Sequence, residues 1–250
     1  MRIDPSDALP RYAQLERALA EKIVDGTVPV GHRLPSEDAL VAQFDVSRTT
    51  VRKAIANLAG RGLIEIQRGK GTFVVRPKLT QHLTALSSFV EDMIKAGRKP
   101  TARVLDHHIV AADETVAHRL RLPPGTPVLR LKRVRLADDH PLSFDETYLP
   151  RDIGEKIVTD DLEVEPIFGV LEEKYALPLI DAEYRMEATI ASSEIARALD
   201  IGVGDPVFRI ERTSFSTGDQ PVDYEILNYR GDAIKFVTRL QRRDFSRPLV

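Results

Sequence analysis

The spacing of hydrophobic positions changes character along this 250-residue chain. Between Pro10 and Val24 the apolar residues Tyr12, Leu15, Leu19, Ile23 and Val24 recur three or four apart, which predicts one helix face ending at Gly26. Gly31 to Pro35 reads as loop. Ser36 is a good N-cap for a short second helix, and Glu37 and Asp38 favour the positive end of its dipole. Leu40, Val41 and Phe44 give its inner face, and Asp45-Val46 is a tight connection. Ser47 caps a third helix, Arg48 to Gly60, with Val51, Ile55 and Leu58 inward and Arg48, Thr49, Arg52 and Lys53 on or near its exposed first turns. The period then drops to two. Residues 63–67 and 72–75 predict strands joined by Arg68-Gly69-Lys70-Gly71, a hairpin with glycines where positive φ is cheap. A stretch without apolar periodicity, 77–82, reads as a linker starting at Pro77.

A repeat organises the rest. Residues 117–133 match 196–212 at a constant offset of 79, and after one added residue Pro141-Leu142-Ser143-Phe144 aligns with Pro221-Val222-Asp223-Tyr224. Each copy reads as a short helix capped at Asp113 or Ser192, a Gly-x-Pro turn, a strand, a hairpin turn and a return strand. The turns are Asp138-Asp139 and Thr217-Gly218-Asp219. Two copies predict a mainly antiparallel sheet with helices against it, a duplicated α+β domain and not a solenoid. The expected organisation is two α+β domains, 1–76 and 83–250, flanking the linker.

Composition sharpens this picture. With 36 Lys+Arg against 38 Asp+Glu the formal charge is −2, which by itself argues against a nucleic-acid partner. The charge is unevenly spread, however. Residues 1–76 hold 12 basic and 9 acidic side chains, a net +3, and the remainder is −5. Within 47–76 lie seven basic residues, Arg48, Arg52, Lys53, Arg61, Arg68, Lys70 and Arg76, and one acid, Glu65. A second basic run, Arg239, Arg242, Arg243 and Arg247, reads as a last strand and a frayed tail. The chain has no Cys, which removes disulfides, thiolate metal sites and Cys nucleophiles. His107 and His108 face opposite sides of an expected strand, 103–110, which suits shared metal ligation poorly. No metal or cofactor is expected, and there is no nucleophile-elbow motif. No apolar run approaches a membrane span and no signal-peptide core opens the chain, so the expectation is a cytoplasmic protein with no membrane partner.

Three helices followed by a basic hairpin is the order of a winged helix-turn-helix. A helix N-terminus fits the major groove, where Ser47, Thr49 and Thr50 can approach phosphates while Arg48 and Arg52 reach guanine edges or phosphates. The hairpin tip can lie along the DNA backbone. The run Leu34-Pro35-Ser36-Glu37, then 46–54, Gly62-Leu63-Ile64 and 69–74, resembles the GntR family of bacterial transcription regulators across nearly all of residues 10–75. That resemblance implies operator binding. Arg33, Ser36 and Glu37 then start the second helix near the DNA backbone, with Glu37 either orienting an Arg or acting only as a cap-side charge. Ser47, Arg48, Thr49, Thr50 and Arg52 belong to the recognition helix, and Gln67, Gly69, Lys70 and Gly71 form the wing.

In the second domain Leu129, Leu131, Arg133 and Arg135 share one strand face. Two guanidinium forks on one surface suit an anion; equally, they suit acid partners, of which Asp145, Glu146, Glu187 and Asp223 are candidates. Residues from about 83 to 242 resemble the UTRA effector-binding domain of the HutC subfamily, whose fold is similar to chorismate lyase. The features shared are 86–93, the Arg pair, Glu146-Thr147-Tyr148-Leu149-Pro150, 171–175, Asp223-Tyr224 and 229–232. By what the resemblance implies, Ser88, Arg133 and Arg135 hold a phosphate, Glu146, Asp223 and Tyr229 hold the rest of the ligand, and Phe89 is a pocket wall. Pro166-Ile167-Phe168 replaces a serine found in the sugar-phosphate binders, so the expected ligand is a small anion and not specifically a phosphosugar. The implied function is a homodimeric repressor on a pseudo-palindromic operator, modulated by a small anionic metabolite. Two other readings are weighed beside it. One is a lyase-like enzyme with Glu146 as acid or base, which the attached DNA-binding head disfavours. The other is a constitutive DNA-binding protein whose second domain only dimerises.

Overall fold

The computed structural model describes residue 3, residues 8–75 and residues 78–240. Arg76, Pro77, Arg242, Arg243 and Arg247 lie outside the described residues. The chain divides into two compact units after Lys78.

The first unit runs α1 (Arg11–Val24), α2 (Glu37–Phe44), α3 (Arg48–Gly60), β1 (Ile64–Gln67) and β2 (Gly71–Val74). Ser36 and Ser47 cap α2 and α3 by accepting from the N–H groups of Ala39 and Thr50, each at 3.2 Å. Leu15, Leu40, Val51, Leu58 and Val74 are almost wholly buried in one core, as the helical spacing requires. The segment read as loop, 31–35, is loop with one isolated bridge, Arg33 to Phe73. The Gly31 and Leu34 N–H groups donate to the Val74 and Thr72 carbonyls, both at 2.8 Å, and Val74 N–H donates to the His32 carbonyl at 2.9 Å. Backbone polar groups beside an open strand edge find partners there. The segment ahead of α2 is thereby tied to the hairpin.

The second unit begins at once with a strand. Residues 79–82, expected as linker, form β3 (Leu79–His82), paired in parallel with β10 (Ile234–Val237). Its four residues are too few to show a period, and its partner lies more than 150 residues away, so nothing local announces it. Next come α4 (Phe89–Lys95), β4 (Pro100–Ala111), α5 (Glu114–Leu120), β5 (Pro127–Ala137), β6 (His140–Pro150) and α6 (Arg151–Ile157). The short α7 (Ile167–Gly169) runs into a π-helical turn, Val170–Lys174. The second repeat follows as β7 (Asp181–Ile190), α8 (Ser193–Leu199), β8 (Pro206–Ser216) and β9 (Gln220–Arg230).

The main sheet has the order β4-β5-β6-β9-β8-β7. That order reads the same from both ends once each repeat is taken as strand, helix, strand, strand, which is the pseudo-twofold the sequence offset predicts. Asp113 and Ser192 cap the equivalent helices α5 and α8. Both hairpins slip register just past their turns, between Arg135 and Leu136 and between Ser214 and Phe215. These bulges decide which side chains share the site face.

Candidate functional site

In the first unit, α3 presents its N-terminal turn at the surface. Ser47 is occupied as a cap and also shares a 2.9 Å hydrogen bond with the Thr50 hydroxyl. Arg48 and Thr49 are exposed. Each arginine in the first turns of α3 meets an acid of α2. The Arg48 guanidinium lies 2.9 Å from Asp38 Oδ1, and Arg52 Nε donates to Glu37 Oε2 at 2.9 Å. Glu37 therefore touches an arginine as well as standing at the start of α2. In the hairpin Lys70 N–H donates to the Gln67 carbonyl at 3.0 Å, and Gln67 Nε2 donates to Glu65. Gly69 has φ +77° and Gly71 φ +126°. A Cβ at Gly71 would collide with the Arg33 guanidinium, so this glycine seats Arg33 against the hairpin. Arg33, Ser36, Glu37 and Gly71 together border a cavity of about 180 Å³. All twelve residues expected at this surface lie on the segment before α2, the start of α2, the start of α3, or the hairpin.

In the second unit one cleft gathers part of the expected set. Ser88, Phe89, Arg135 and Tyr229 line it, with Asp145, Glu225, Arg212, Tyr184, Gln81 and the Pro166–Phe168 segment. Ser88 caps α4, accepting from Glu91 N–H at 3.2 Å and donating to the Glu91 carboxylate at 3.1 Å. Arg135 Nε donates to Asp145 Oδ2 at 3.1 Å, and its guanidinium stands 5.4 Å from the Phe89 ring centroid. Arg212 pairs with Glu225 and lies 4.5 Å from the centre of Phe168. Phe168 thus covers a guanidinium. The Ser143 and Thr147 hydroxyls donate to Asp145 and Glu225.

Three expected residues are not in the cleft wall. Arg133 is wholly buried behind it, donating from Nη1 to the Leu162 carbonyl at 3.4 Å. Glu146 lies on the other sheet face, 3.4 Å from Lys132 and accepting from the Tyr148 hydroxyl at 3.1 Å. The bulge is the reason. In an unbroken hairpin from Asp138-Asp139, Glu146 would share the face of Arg133; the one-residue slip pairs Arg133 with Asp145 and sets Glu146 opposite Lys132. Asp223 is on the site face but fully buried, with Oδ1 accepting from Ser214 N–H at 3.2 Å. In their place stand Arg212, Glu225 and Asp145. The repeat carried the signal: Arg212 is the offset-79 counterpart of Arg133, and Glu225 matches Asp145 once the added residue is counted.

Burial sets the electrostatics of this cluster. It pushes the Arg133 guanidinium down to about 9, with repulsion from Arg135 adding to the effect. It raises the Asp145 carboxyl, against the pull of Arg135. It also opposes ionisation of Glu225, but Arg212, Arg135 and Arg133 outweigh it and hold Glu225 below its ordinary range. Asp223 is pushed up to about 6, by burial and then by Glu225. Burial and the nearby Asp145 hold the Tyr229 phenol well above its ordinary value, so it is a neutral donor. Arg133 Nε and Nη2, Arg212 Nε, Gln81 Oε1 and Asp223 Oδ2 have no hydrogen-bond partner among the described residues. The open volume of the cleft is about 20 Å³, room for about one water.

Comparison with known proteins agrees with the two-unit architecture. Residues 11–74 match the family described as bacterial regulatory proteins, gntR family, and residues 95–235 match the UTRA domain. The HTH-type transcriptional regulator YurK of Bacillus subtilis is 34% identical over 88% of this chain and 91% of its own. The HTH-type transcriptional repressor NagR of the same organism is 32% identical over 97% of this chain and 99% of its own. The crystal structure of PhnF from Mycobacterium smegmatis superposes with a TM-score of 0.71 at 26% identity, covering 91% of this chain and 99% of PhnF. No helix among the described residues is long and apolar enough to cross a membrane. The chain belongs to the GntR family of bacterial transcription regulators, in the HutC-like branch that carries a UTRA domain behind the winged helix, and its domains are those of regulators and not of enzymes.

Proposed function

We propose that this protein is a homodimeric repressor that binds a pseudo-palindromic operator and changes its hold on that operator when a small anionic metabolite enters the UTRA cleft. On this reading the start of α3 enters the major groove, with Arg48 and Arg52 toward base edges and Ser47, Thr49 and Thr50 toward phosphates. Arg33 and the Gln67–Gly71 hairpin follow the backbone, and Ser36 and Glu37 support them from α2.

The observation that carries the ligand reading is the presence of two buried guanidinium groups in one narrow cleft. Arg135 and Arg212 each hold an acid, Asp145 and Glu225, and share the cleft lining with Ser88, Tyr229 and Tyr184. A ligand with one anionic group and neighbouring hydroxyl or amino donors satisfies both halves of such a set. Arg133 backs the site as a buried charge and Phe89 walls it. The open volume is too small for any such molecule, so binding requires the cleft to open. A ligand that favours the open arrangement shifts the population of shapes, which is the requirement for a switch. Gln81 reaches this cleft from β3, which starts at the first residue after the head.

A thermal-shift panel of phosphosugars, phosphonates, amino-acid catabolites and fatty acids tests this reading. Stabilisation by an anionic compound, lost in Arg212→Ala and Arg135→Ala, supports it. Binding that survives both substitutions contradicts the cleft assignment.

A further inference from the structure

We propose that Asp38 is a specificity-determining residue of the DNA-reading surface, acting as a positioning residue for Arg48. This rests on the operator-binding reading above and goes beyond it. The observation is that an exposed carboxylate reaches from the start of α2 to a recognition-helix arginine ten residues on, Oδ1 to Nη2 at 2.9 Å. Glu37 does the same for Arg52.

Helix-dipole stabilisation explains why acids stand at the start of α2. It does not explain why both reach across to α3. Stability does not explain it either, because exposed ion pairs of this kind contribute little; the side chains of Arg48 and Asp38 are 68% and 72% accessible. On a surface that meets phosphates, a carboxylate opposes the binding of every duplex. What it supplies is direction. An arginine free to rotate reaches any nearby phosphate. One held by an acid keeps its remaining donors at one place and matches the paired acceptors of a guanine edge there. The second Asp38 oxygen can accept from a cytosine amino group, which would add to the preference for a G·C pair.

Three cations before α2 and in the hairpin fit this division. Arg33, Arg68 and Lys70, before α2 and in the hairpin, have no ion-pair partner among the described residues. They are free for phosphates of any sequence, while both arginines at the start of α3 are held. Affinity then comes mainly from the unpaired set and discrimination from the acid-held pair, a use of one repulsive group to separate right from wrong partners.

The test uses the full chain and a randomised duplex library. The selected consensus duplex and a scrambled one are then titrated by fluorescence anisotropy at low and moderate salt. Asp38→Ala is expected to bind the scrambled duplex more tightly at low salt and to lower the consensus-to-scrambled ratio about two- to fivefold, the size of bias one exposed pair can exert. Asp38→Glu is expected to restore the ratio. Glu21→Gln, the same charge change in a pair on α1, is expected to leave it alone. In an Arg48→Ala background Asp38→Ala should cost no further discrimination. An unchanged ratio in Asp38→Ala, or the same fall in Glu21→Gln, overturns the assignment while leaving operator binding intact. Failure of the wild-type protein to select any consensus overturns operator reading itself, and this inference with it.

Discussion

Arg212 occupies in the second repeat the place of Arg133 in the first, yet its guanidinium lies in the cleft wall while that of Arg133 is sealed behind it. The duplicated sheet is symmetric in its backbone and unsymmetric in what covers it. The loop at Leu162 closes over Arg133, whereas Phe168 and Tyr184 flank Arg212 and leave it in the cleft.

Breaking the Arg212 pair should be costly. Arg212→Ala leaves Glu225 buried without its main partner, and loss on the order of 3–5 kcal/mol is expected in urea unfolding. Arg212→Met combined with Glu225→Gln should recover most of that loss, since neither charge is then buried. If the double variant is no more stable than the single, the pair is not what holds this region.

Asp223 gives a pH signature. Its carboxyl is raised to about 6 in the folded protein, against an ordinary value near 4. Between those values the folded state binds more protons than the unfolded one, so this group lowers stability as pH rises through about 4 to 6, and the cost persists above. Asp223→Asn should therefore stabilise more at pH 7.5 than at pH 4.5, by an amount on the order of 2 kcal/mol. An equal effect at both pH values would show that Asp223 is not buried as an acid.

Much of this architecture is legible in the sequence, for identifiable reasons. The serine and aspartate caps at residues 36, 47, 113 and 192 act within three residues, and the repeat offset announces the sheet symmetry. Nonlocal features are not legible in the same way. β3 depends on a partner at residues 234–237. The placement of Asp145 and not Glu146 beside the arginines depends on a one-residue bulge, and no local residue pattern marks it. Arg135 and Arg133 look equivalent on one strand, and only the covering loop separates them.

At Gly71 a neighbouring side chain and the backbone conformation both favour glycine. Gly71→Ala combines φ +126° with a collision against Arg33, so the hairpin tip or Arg33 must move. Weaker duplex binding is expected with little change in the melting of the UTRA domain. Unaltered binding would show that Arg33 has another seat.

Arg48→Ala and Arg52→Ala remove only exposed pairs, each contributing about 0–1 kcal/mol to stability. Both variants should melt near the wild type and bind the consensus duplex at least several-fold more weakly. Wild-type affinity in both would remove α3 from the reading surface.

Ligand control of DNA binding is the central claim, and one titration tests it most directly. The consensus duplex is titrated with wild-type protein and with Arg135→Ala, with and without an anionic compound that stabilises the wild type in the thermal panel. The account predicts that the compound shifts the wild-type Kd and leaves the Kd of Arg135→Ala unmoved. A compound that binds the wild-type cleft yet leaves the duplex Kd unchanged would contradict it.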